Sequence, residues 1–277
     1  MNAYWMLKML RENVAEASAA HWSDAELLRK LNLAQARVAN ITLLAPGDWL
    51  VKSDDLTPAA SIVTLPSDCA KPVYMEEASS GYEIPIRGTV RERRLTRMTG
   101  ATSDQGALEA YRLKGSLEIN RSGYTSGVTL WYQQRVPDVH AGTADAGGAK
   151  SISFDTANDH SVVDDYYNGV TIEVVSGTGI AVTTVSDYTG ATGVAVTVAG
   201  TFSTDSVYGT VSLLPEEAHY VIVLLATVQC MAKPSSDIDP EIFKQYYVLV
   251  KGALKDYEEF ISSSESGSKH VRVTEYE

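Results

Sequence analysis

Apolar residues recur at helical spacing at the two ends of this 277-residue chain and at alternating spacing through its middle. That switch of period limits the fold more than any other feature of the sequence. A first helix is predicted through about Ala19, and the run from His21 to Leu27 opens a second. There Ser23 can cap the amide of Glu26 while the Glu26 carboxylate reaches back, a capping box, with Trp22 and Leu27 placed as a hydrophobic staple. Leu27, Leu28, Leu31, Ala34, Val38 and Ile41 follow on one face until Pro46-Gly47 ends the helix. At the other end, Pro215 stands at a first helical position, with Glu216 and Glu217 where the helix dipole favours acids. Tyr220, Leu224, Leu225, Val228 and Met231 form its predicted buried face. Asp239-Pro240-Glu241 opens a last helix, whose Phe243, Tyr247, Val250, Leu254, Tyr257 and Ile261 alternate spacings of four and three, the seam of a helix packed along a neighbour.

Short strands are predicted between these ends at Ser61–Leu65, Val73–Glu77, Glu83–Arg87, Arg91–Arg97, Ala110–Leu113, Ser116–Ile119 and Val128–Tyr132. Gly81, Gly88, Gly115 and Ser122-Gly123 punctuate them. From Asp138 to Leu213 the composition changes: residues are small and β-forming, with nine acids against one base, Lys150. This stretch reads as a separate small β-domain of about five strands. Ser262–Ser268 reads as a linker, and Lys269–Glu277 alternates like a strand with no local partner. Such a tail either adds to another chain's sheet edge or frays as a terminus. The predicted fold class is therefore α+β: a core of about four helices with β-hairpins, an inserted small all-β domain and an extended C-terminal tail. The corresponding segments are 1–137, 138–213, 214–262 and 263–277.

Little of the sequence points to catalysis. A formal net charge of -12 argues against a nucleic-acid grip spread over the whole surface. Cys69 and Cys230 lie outside any metal or disulfide spacing and read as reduced thiols of a cytoplasmic protein. His21, His140, His160, His219 and His270 are scattered, and His219, after two glutamates, reads as surface. There is no GxSxG elbow, P-loop or dinucleotide fingerprint, and Ser176-Gly-Thr-Gly reads as a turn between strands. The acidic run Asp155, Asp159, Asp164 and Asp165 can offer oxygens to calcium but lacks the EF-hand glycine and terminal glutamate. Arg87, Arg91, Arg93, Arg94 and Arg97 form a basic cluster on a predicted hairpin. It suits DNA phosphate or an acidic partner, or else a charged strand edge that deters aggregation. The N-terminus reads as an amphipathic helix, not a signal peptide, and no segment has the apolar length of a membrane span. No enzyme activity and no cofactor is expected.

Two stretches carry a resemblance. Trp22-Ser-Asp-Ala-Glu-Leu-Leu-Arg-Lys-Leu-Asn, Val63-Thr-Leu-Pro-Ser-Asp, Leu113-Lys-Gly-Ser-Leu-Glu-Ile, Leu130-Trp-Tyr-Gln-Gln-Arg-Val-Pro-Asp and Leu213-Leu-Pro-Glu-Glu-Ala-His-Tyr together resemble the head–tail connector (adaptor, head-completion) proteins of tailed bacteriophages. In that family the last join is uninterrupted, which places an insertion here. Asp164-Asp-Tyr-Tyr-Asn-Gly-Val-Thr-Ile-Glu-Val-Val-Ser-Gly-Thr-Gly is similar to a β-module of phage structural proteins, although Ile180-Ala-Val is apolar where the module is polar. The resemblance implies a helical adaptor core and a virion ring of about twelve copies at the head–tail interface, beneath the portal. Such a ring is made in the host cytoplasm, extends the channel through which genomic DNA passes, and presents a surface to the tail, nozzle or tail-completion proteins. It further implies portal docking through Val271, Arg272, Val273 and Tyr276, and ring packing through Phe243, Tyr247, Val250, Leu254 and Tyr257. The alternative is a binding module whose β-domain recognises a glycan or another virion protein, with Tyr166, Tyr167, Tyr188 and Tyr208 as its platform. A hydrolase would need an acid pair that sequence alone does not reveal.

Overall fold

The structure, a computed structural model, describes residues 1–15, 21–88, 108–232 and 240–270, the side chains of the last stretch as far as residue 263. It corrects the expected fold class. The described residues hold four α-helices and thirteen strands in three sheets, a mostly β-rich protein and not a helical core with a small β insert. The alternating segments do not decorate helices as hairpins. They assemble into sheets with cores of their own.

The chain divides into two compact units, Asp48–Arg135 and the remainder, Met1–Gly47 with Val136–Glu277. In the first, β1 (Val51–Leu56), β7 (Val128–Gln134) and β3 (Cys69–Glu77) form an antiparallel sheet in the order β1-β7-β3. A second sheet runs β2-β6-β5-β4, from Ile62–Thr64, Ser116–Ile119, Ala110–Leu113 and Ile86–Arg87, with β4 parallel to β5. Val63, Leu117 and Ile119 meet Met75, Leu130 and Tyr132 in one core. The buried Tyr132 hydroxyl donates to Asp54 (2.6 Å) and lies 2.9 Å from Asp68, so its desolvation is compensated. Burial, with Asp68 adding to it, pushes the Cys69 thiol up to about 11, which keeps it protonated and unreactive.

The second unit opens with α1 (Ala3–Asn13) and α2 (Asp24–Leu44). The expected capping box is present: Glu26 N donates to Ser23 Oγ (3.2 Å) and Ser23 N to Glu26 Oε2 (3.1 Å). A six-stranded antiparallel sheet follows in the order β8-β13-β10-β11-β12-β9. Its strands are Ala141–Thr143 (β8), Ala146–Ser153 (β9), Thr171–Ser176 (β10), Ala181–Thr189 (β11), Val194–Thr201 (β12) and Val207–Thr210 (β13). The edges β8 and β9 are consecutive in the chain. Phe154, Tyr167, Tyr188 and Tyr208 pack edge to face and stacked inside the sheet. At the Ser176-Gly-Thr-Gly turn, Gly177 has φ +82°, and a Cβ there would stand 2.0 Å from the Asp205 carbonyl oxygen. The turn is therefore a packing device.

The six-stranded sheet is not separate from the helices. Asn2 bridges to Val211 and donates to Glu173 (2.6 Å), Asn32 exchanges hydrogen bonds with Val139, and Gln35 donates to the Pro137 carbonyl (2.8 Å). The segment expected as an insert, 138–213, thus shares a unit with α1, α2 and the helices after it, and the piece that separates is Asp48–Arg135. Those later helices are α3 (Glu216–Met231), with Pro215 at its N-cap, and α4 (Pro240–His270). Helix α4 runs straight through Ser262–Ser268, the expected linker. There Ser262 Oγ donates back to the Glu258 carbonyl (2.7 Å), a bond serine can make without leaving the helix. The predicted strand Arg91–Arg97 lies outside the described residues.

Candidate functional site

Helices α3 and α4 build an open, mostly apolar surface groove. Helix α3 is apolar nearly all round, and Ala218, Val221, Ile222, Leu224 and Leu225 are buried. A helix of that composition needs cover on every side. Helix α4 supplies part of it through Val250, Tyr257 and Ile261. Thr42 of α2, whose hydroxyl also reaches the Val38 carbonyl, hydrogen-bonds the Tyr257 hydroxyl (2.7 Å) and fixes the pair. Burial raises the Tyr257 pKa, so the phenol stays neutral.

Between the two helices a groove of about 550 Å³ remains open. Val221, Leu224 and Tyr257 form its floor. Its walls keep Tyr220 51%, Val248 67% and Leu249 52% exposed, and the acids Glu217 and Asp256 stand beside it. Gly252 also lines it, in the middle of a helix, with nothing within 4 Å of a Cβ built there. The groove is apolar apart from the Glu217 and Asp256 carboxylates and the Tyr220 and Tyr257 hydroxyls.

The residues singled out in the sequence are dispersed. Of the predicted ring seam, Val250 and Tyr257 are buried inside the chain, Phe243 and Leu254 are half-buried, and Tyr247 is 46% exposed. Tyr220, expected in the interior, is on the surface. Arg87 pairs with Glu109 (3.2 Å), while Arg91, Arg93, Arg94 and Arg97 lie outside the described residues, as do Val271, Arg272, Val273 and Tyr276. Tyr167, Tyr188 and Tyr208 are fully buried and Tyr166 packs against the same core, so they form no exposed platform. His219, expected at the surface, is buried, with Nδ1 3.0 Å from the Met1 amine. Burial, then the amine's charge, lowers its pKa.

The acidic run is engaged locally. Asp155 accepts from Ala157 N and Asn158, Asp164 from Gly190 N and Asp165 from Asn168, and Asp159 pairs with Arg29. Among the described residues, no three His, Cys, Asp or Glu are placed to hold a metal ion, and no helix is long and apolar enough to cross a membrane. Sequence reasoning passed over Val248, Leu249 and Gly252. The signal was there: an apolar pair off the seam and a glycine in mid-helix. Comparison with protein-family models and with curated proteins finds no match for this chain.

Proposed function

We propose that the protein is a structural subunit that assembles with copies of itself into a ring, the head–tail adaptor of a tailed bacteriophage. The observation that carries this reading is the uncovered apolar groove of α3 and α4, where Tyr220, Val248 and Leu249 stand in water. Contiguous apolar surface of this kind marks an interaction site, since leaving it solvated forgoes about 25 cal/mol per Å² of possible burial. Placement at the portal rests on the sequence resemblance carried by the segments beginning at Trp22, Val63, Leu113, Leu130 and Leu213. A net charge of -12 suits a channel that must let DNA pass without holding it. Portal and tail proteins are the partners on this reading, with Val271, Arg272, Val273 and Tyr276, beyond helix α4, as the portal-docking residues. Negative-stain microscopy and mass photometry of the purified full chain test the assembly, and co-sedimentation with portal rings tests the placement. Closed rings that bind portal are the expected result. A protein that stays monomeric at roughly 100 μM, well above the Kd range of stable assemblies, would overturn the reading.

A further inference from the structure

On the reading that copies associate, we infer which surfaces meet: the outer face of α2 of one copy lies antiparallel along the α3–α4 groove of the next. The α2 face is defined by Leu33, Arg37, Asn40 and Leu44, all exposed and on one line of the helix. Leu33 is 59% and Leu44 87% exposed, so this face has apolar area to bury on association. Among the described residues Arg37 has no ion-pair partner, and Arg29, further along the same face, already pairs with Asp159. On the groove side, Leu249, Asp256 and Phe260 follow one another along α4, and Asp256 likewise has no ion-pair partner among the described residues.

The two series match in spacing and in chemistry. From Leu44 back to Arg37 is seven residues, and from Leu249 forward to Asp256 is seven. Arg37 to Leu33 is four, and Asp256 to Phe260 is four. Each series spans about 17 Å at 1.5 Å per residue. Laid antiparallel, Leu44 meets Leu249 and Val248, Arg37 meets Asp256 with Glu217 close by, and Leu33 meets Phe260. Gly252 then faces the crossing point. Glycine in a helix interior costs about 1 kcal/mol relative to alanine, and among the described residues nothing crowds this one. A second helix approaching at Gly252 supplies the reason for it. Because α2 and the groove are different surfaces, the contact is heterologous, and repeating it gives a ring or a filament, not a two-fold dimer.

Charge reversal tests this on the full chain at low salt, with mass photometry as the readout and circular dichroism to verify folding. Arg37→Glu and Asp256→Lys should each weaken association by about tenfold or more, since each places like charges together. A mixture of the two single variants should recover assembly, because each surface then finds a complementary one, and the double variant should recover it alone. Gly252→Leu should fold at least as well as the natural chain, gaining helix propensity in open space, yet fail to associate. If the natural chain assembles and these variants assemble equally well, this interface is overturned and the ring reading stands. If the natural chain never associates, both fall.

Discussion

His140 sets a pH limit on the six-stranded sheet. Its ring is 1% exposed and lies flat against Phe154 at 5.0 Å; Nδ1 meets the Tyr208 hydroxyl at 2.8 Å, and the buried Nε2 has no hydrogen-bond partner among the described residues. Burial lowers its pKa to about 4, and His160 pushes the same way, against weaker opposing effects of Asp155, Asp159 and Asp145. In the unfolded chain the group titrates near 6.5. The folded state therefore binds fewer protons between these values. The stabilisation is complete above about pH 6.5 and is lost as pH falls toward 4. At 1.36 kcal/mol per pKa unit the loss is about 3 kcal/mol, a large share of a domain's usual stability. Urea denaturation of the natural chain and of His140→Gln, from pH 7.5 to 4, isolates this contribution, because His219 and the carboxylates are common to both. The stability advantage of the natural chain over the variant should shrink by about 3 kcal/mol across that range. A gap that stays constant with pH would refute the assignment.

Gly177→Ala should destabilise by more than 2 kcal/mol or so, because its Cβ meets the Asp205 carbonyl, whereas Gly169→Ala, at φ +80° in open space, should cost only about 1 kcal/mol; thermal melting separates them. Ser23→Ala should cost about 1 kcal/mol, and adding Glu26→Ala should cost less than the sum of the single effects, since the two bonds form one reciprocal cap. Tyr257→Phe should lower stability by about 1 kcal/mol in urea titration, because Thr42 keeps its bond to Val38 and only one buried hydrogen bond is lost. Residues 48–135 expressed alone should give a soluble β-type circular-dichroism spectrum with a cooperative melt, given their own core.

What the sequence made legible was short in range. The Ser23–Glu26 box and the turn at Gly115 between β5 and β6 involve neighbours a few residues apart, so local chemistry decides them. Strand β1 escaped because Val51-Lys-Ser-Asp-Asp-Leu has few β-formers. It is a strand because β7 pairs with it and Tyr132 bonds to Asp54. The grouping of 138–213 with the helices was equally hidden, since it depends on pairs such as Asn2 with Glu173 and Gln35 with Pro137. Alternation reveals that a strand has two unlike faces, not what covers them. The same limit applies to the groove: helical periodicity located the buried stripe of α4 at Val250 and Tyr257, but not the adjacent stripe at Val248 and Leu249 that stays open.

The bridge between Asn2 and Val211 has a consequence for synthesis. Helices α1 and α2 are made first, yet the strand and helix they rest on emerge about 200 residues later, at translation rates of 5–20 residues per second about 10–40 s afterwards. Through that interval α2, with Leu27, Leu28 and Leu31, lacks its main packing partner α3, while Asp48–Arg135 can already close on itself. The nascent chain thus carries, at once, a domain able to close and a helix pair still waiting for its main cover.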